Sequence, residues 1–159
     1  MGCDIHVRAQ RLKNGRWEFM PNAVPDDRNY AAFALLAGVR DYGENGDRRI
    51  ADPRGLPDGV DNEDDVFGDH SFSWVLLSEV IGIMTGDYWE SGLVSTKDAA
   101  KVDAGGTPDE WYQGTSDRTC VERRWKRPIG RSAWLLSEWI AAFAKYEPSE
   151  IRFIFGFDN

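Results

Sequence analysis

The last ten residues, "EIRFIFGFDN" from Glu150 to Asn159, constrain the fold more than any other segment. In an extended chain successive side chains point to opposite faces. Ile151, Phe153, Phe155 and Phe157 then line one face and Ile154 the other, so the segment stays apolar on both until Asp158. Such a β-branched and aromatic run reads as a strand in the middle of its sheet, not at an edge.

The other end of the chain supplies a neighbour. In "CDIHVRAQ", Cys3, Ile5, Val7 and Ala9 alternate with Asp4, His6, Arg8 and Gln10, which is the period of a half-buried strand. The alternation slips at Arg11-Leu12, where a bulge or the strand end is expected. Asn14-Gly15 in "KNGR" forms a hairpin turn, and "WEFM" returns as a second strand.

Helical periodicity appears in between. Asp27 or Asn29 caps a helix running to about Val39, with Tyr30, Phe33 and Leu36 inward. Ser73 is read as the cap of "WVLLSEVIGIM", and Thr107, Pro108 and Glu110 as the start of a third helix. "DYWESGLVST" is ambiguous, and "RTCVERRWKRP" reads as extended up to Pro128. "SAWLLSEWIAAFAKY" is the clearest helix, with Leu135, Leu136, Trp139, Ile140 and Phe143 facing inward. From Asp41 to His70 no periodicity survives, and ten acids there oppose three arginines, so this loop carries −7 of the net charge of −8. The expectation is a single α+β domain over residues 1–159. It would have a small, mostly antiparallel sheet covered by helices, and a long acidic loop at about 41–70.

Composition limits function. The 159 residues are 42% hydrophobic, with seven Trp and eight Phe, which suits one folded core. The negative charge argues against global attraction to nucleic acid or anionic membrane. Tyr30–Val39 is the longest apolar run and falls well short of a membrane span. His6 stands where N-myristoylation needs Ser or Thr, and Cys3 and Cys120 form no CxxC pair. A cytoplasmic protein with two free thiols is expected.

The two histidines each sit near an aspartate, in "CDIH" and "FGDHSFS". If the segments meet, Asp4, His6, Asp69 and His70 could surround a divalent ion such as Zn²⁺ or Mn²⁺. A metal-free version places His6 and His70 as proton carriers oriented by Asp4. Arg54, Ser71, Ser73 and Asp69 would then hold an anion at the start of the Ser73 helix. No Walker loop, G-x-S-x-G or G-x-G-x-x-G occurs. "DNEDDVFGDH" departs from a calcium loop, having Val66 and Phe72 where Gly and Glu belong. Arg118, Arg123, Arg124, Lys126 and Arg127 around Trp125 could bind single strands by phosphate contact and stacking. Matching the acidic loop within the molecule is the favoured use of these cations.

The start "MGCDIH", with "RNYAAFALLAGVR", "PRGLP", "DHSFSW" and "IRFIFGFDN", resembles a family of small phage and prophage proteins. That resemblance implies a virus-encoded cytoplasmic accessory protein and carries no catalytic assignment. Relatives read H-S-H-S-W where Phe72 stands here. Two function classes follow. One is a His/Asp/Arg pocket that binds or hydrolyses a phosphate-bearing small molecule or nucleotide. The other is an acidic anti-defence inhibitor, like an anti-CRISPR protein, which presents Asp58, Asp61, Glu63, Asp64 and Asp65 to a basic nucleic-acid-binding surface of a host protein. The pocket is preferred, and neither class needs a membrane.

Overall fold

A computed structural model describes residues 2–114 and 119–159. Its main sheet has four strands in the order β2-β1-β6-β3, all antiparallel, with β1 at Asp4–Lys13, β2 at Arg16–Phe19, β3 at His70–Leu76 and β6 at Ile151–Asp158. The C-terminal strand is central, as its two-sided apolar pattern requires, and all of Ile151–Phe157 is buried. The hairpin turn is made by Asn14 and Gly15, both with positive φ. β1 neither bulges nor ends at Arg11: it pairs without a register shift from Asp4 to Arg11 and continues to Lys13. The pattern slips because the Arg11 guanidinium lies 5.1 Å from the centre of the Tyr146 ring, so an arginine takes an apolar-face position by lying along an aromatic.

One face of the sheet carries the helices. α1 (Tyr30–Ala37) is capped by Asn29, whose side chain accepts from the Ala32 amide at 3.1 Å, and it stops at Gly38, φ 72°. Seven consecutive residues, Ala31 to Ala37, are buried, so α1 is a central helix rather than an amphipathic cover. Phe33 meets Phe157 edge to face at 5.1 Å. α4 (Ile129–Ser132) and α5 (Trp134–Ala142) follow one another, and Trp139 lies 4.6 Å from Phe153.

The other face is covered by the acidic loop. Phe67 is buried, and a Cβ on Gly156 would collide with the Phe67 carbonyl oxygen, so loop and strand are in backbone contact. Long loops in compact domains are uncommon unless they have work to do. This one supplies the second layer that β6 needs.

Two helix expectations also change. Ser73 caps no helix: β3 runs through to Leu76, and α2 (Leu77–Ile83) begins afterwards, with Glu79 accepting from the Leu76 amide at 2.8 Å. Thr107–Glu110 is not helical either, because Tyr112 exchanges backbone hydrogen bonds with Leu93. The helix in that region is α3 (Thr96–Asp103), capped by Ser95. It packs on a two-stranded ribbon of β4 (Asp87–Ser95) and β5 (Cys120–Pro128). Among the described residues neither Cys3 nor Cys120 forms a disulfide, and burial pushes the Cys3 thiol up. No helix among the described residues is long and apolar enough to cross a membrane.

Candidate functional site

The register decides the fate of the two histidines. His6 stands opposite Gly156, whereas His70 stands opposite Phe157. Cross-strand partners share a face and consecutive residues do not, so the two imidazoles project to opposite faces of β6. His6 Nε2 meets Asp158 Oδ2 at 2.7 Å. His70 stacks on Phe157 with ring centroids 6.1 Å apart, and its Nδ1 lies 2.9 Å from Ser71 Oγ. Ser71 takes φ 55° at the irregularity between His70 and Ser73, which lets β3 turn His70 toward Phe157.

The remaining residues of the expected pocket are spoken for elsewhere. Asp4 does not orient His6; its Oδ1 accepts from Arg28 Nε and Nη2 at 2.9 and 2.7 Å. Arg54 is no free anion clamp. It forms a two-pronged ion pair with Glu79 at 2.6 and 2.9 Å, donates to the Trp74 carbonyl and lies 4.4 Å from the Trp74 ring centre. Buried Ser73 accepts from the Arg54 amide at 2.9 Å. Asp69 is exposed, 4.0 Å from His70 Nε2. Asp4, His6, Asp69 and His70 therefore do not gather around one ion, and among the described residues no cluster of three or more His, Cys, Asp or Glu side chains could hold a metal.

The carboxylates of Asp58, Asp61, Glu63, Asp64 and Asp65 are all exposed. Among the described residues they make no ion pair with the basic strand. Arg123 binds Asp103 at 2.8 and 3.2 Å, and Arg124 donates to the Gly43 and Glu44 carbonyls rather than to a carboxylate. Arg118 lies outside the described residues.

What sequence reasoning missed is a cavity of about 350 Å³ between the start of α1, the end of α4 and the inner face of the ribbon, within the usual size of small-ligand sites. Arg40, Arg127 and Arg131 line it together with Tyr30, Tyr42, Trp111 and Trp134. The Arg127 guanidinium sits 4.9 Å from the Trp111 ring centre. Among the described residues neither Arg127 nor Arg131 has a carboxylate partner.

Two features make the cavity's polar character specific. Asn29 holds α1 to α4 by donating Nδ2 to the Ser132 carbonyl at 3.0 Å, which brings the first turn of α1 to the cavity wall. Ser132 lines the same wall, and among the described residues its buried Oγ has no hydrogen-bond partner. On the opposing side Tyr88 is buried, and its phenol is pushed up by that burial and then by the carboxylates of Asp41 and Glu90. It is therefore a neutral wall of the site at physiological pH. The signal in the sequence was the alternation of Arg and Trp in "ERRWKR", which marks Arg127. Arg40, Arg131 and the α1 start lie far from it along the chain.

No protein-family model matches the chain, and neither curated proteins nor solved structures yield a significant match.

Proposed function

We propose that the protein binds a small phosphate-bearing ligand of the nucleotide class in the cavity between α1, α4 and the ribbon. The observation that carries this reading is the gathering of Arg40, Arg127 and Arg131 with four aromatic side chains around one hollow. Guanidinium groups suit phosphate oxygens, and aromatic walls suit a base. The helix start adds backbone amides that have no intrahelical partner. The reading keeps the ligand class expected from the sequence and moves it away from the histidines. A phage-encoded, cytoplasmic accessory role fits the resemblance of its segments, and binding rather than hydrolysis is proposed.

The test is a thermal-shift and calorimetric titration with pyrophosphate and nucleoside monophosphates. A ligand at a hundred times its Kd stabilises the native state by about 2.7 kcal/mol. Arg127→Ala and Arg131→Ala should each weaken binding about tenfold or more, the loss expected for one charge-assisted contact. Silence of the wild-type protein toward every phosphate compound would overturn the reading.

A second reading rests on the exposed carboxylates from Asp58 to Asp65, which have no cationic partner among the described residues. It is an anti-defence role against a basic, nucleic-acid-binding host surface. Replacing Asp61, Glu63, Asp64 and Asp65 with their amides would then abolish steeply salt-dependent inhibition.

A further inference from the structure

We infer that the cavity selects guanine nucleotides, with Glu90 reading the base; the inference rests on the phosphate-binding reading above. Glu90 lies on β4 and lines the same cavity as the three arginines. It shares the inward face of the ribbon with Tyr88, since residues two apart on a strand point the same way. Among the described residues its carboxylate accepts no hydrogen bond and makes no ion pair, and it is half-buried. Of the nearby guanidiniums, Arg127 lies over Trp111, and Arg124 lies over Trp89 and donates to main-chain carbonyls.

A carboxylate in a phosphate-binding hollow repels the ligand's anionic end. Binding is favoured when the ligand turns hydrogen-bond donors toward it. Among the common bases, guanine alone offers two adjacent N–H donors on one edge, at N1 and the exocyclic N2, spaced to meet both oxygens of a carboxylate. Adenine and cytosine each present a single amino group beside a ring nitrogen that accepts, and that lone pair faces a carboxylate oxygen unfavourably. Inosine keeps N1–H and lacks the N2 amine.

The wall opposite β4 suits the phosphate. Ser132 lies on that wall, and among the described residues its buried Oγ has no hydrogen-bond partner. The amides of Tyr30 and Ala31 open the first turn of α1, and Arg131 is next in sequence to Ser132. Tyr42 and Trp134, both substantially exposed, stand at the cavity as aromatic surfaces for the base and ribose. The ligand spans the hollow from the α1–α4 wall to Glu90.

The experiment compares GMP, IMP, AMP, CMP and pyrophosphate by calorimetry on the wild-type protein and on Glu90→Gln. The expected result is GMP binding at least about tenfold tighter than IMP, AMP or CMP, as for a site built around donors that an analogue lacks. Glu90→Gln should erase that preference, and pyrophosphate should bind the variant no more weakly than the wild type. Equal affinity for the four nucleotides overturns the inference while leaving phosphate binding standing. Uniform tightening of all phosphates by Glu90→Gln also overturns it, marking Glu90 as a repulsive charge alone. Complete silence overturns both readings. Should the variant not fold, the GMP-to-IMP ratio of the wild type still decides.

Discussion

Gly156 lies beneath Phe67 so closely that the Phe67 carbonyl oxygen occupies the space of the missing Cβ. This contact couples the central strand to the acidic loop and explains why a glycine interrupts an otherwise bulky strand. Gly156→Ala should force the loop outward and destabilise the protein by about 1–3 kcal/mol, the usual cost of overpacking. Urea denaturation measures it. Limited proteolysis should show earlier cleavage between Asp58 and Asp65. An unchanged midpoint would mean that the loop does not close this face.

Asn29 has two structural duties, capping α1 and holding Ser132. Asn29→Ala removes the cap and leaves the Ser132 carbonyl without this donor. A loss of about 1–3 kcal/mol is expected from the two together. Asn29→Asp keeps the cap oxygen and loses the donor, so it should fall between the wild type and the alanine variant. The order of the three melting temperatures is the check.

Glu79 is held below the ordinary carboxylate range chiefly by its hydrogen bonds from Arg54, with burial opposing the shift and the Leu76 amide adding to it. A lowered folded value means that the unfolded state takes up a proton first as pH falls. The contribution is complete above the unfolded carboxylate value of about 4.3 and is lost as pH falls through the lower folded value. Stability measured against pH should therefore fall on the acid side. Glu79→Gln should be less stable at neutral pH and show a shallower acid limb. Parallel curves for the two proteins would contradict the role given to this pair.

Tyr88 answers to the alkaline side. Its phenol is raised by burial first and by Asp41 and Glu90 next. A raised folded value gives stability that is whole below the unfolded tyrosine value of about 10 and declines above it. Ultraviolet titration should find one tyrosine that ionises only as the protein unfolds. Tyr88→Phe should remove that late step and leave the other tyrosines unchanged.

Local pattern alone determined much of the architecture. The alternation from Cys3 to Ala9, the Asn14-Gly15 turn, the cap at Asn29 and the doubly apolar β6 each report on neighbours along the chain, and periods of 2 and 3.6 are local properties. The α+β class and the central place of β6 follow from them. Tertiary structure decided the rest, beginning with the histidines. Their faces depend on register with β6 and on the irregularity at Ser71, and one residue of slip reverses a face without altering any local pattern. Ser73 was legible as a cap and became a strand residue because pairing with Phe155 on β6 outweighed helix propensity. The cavity unites Arg40, Glu90, Arg127 and Ser132, which are dispersed along the chain and meet only when the helices and ribbon pack. Periodicity carries no signal of that meeting, because such a site is a product of packing between elements and not of the elements themselves.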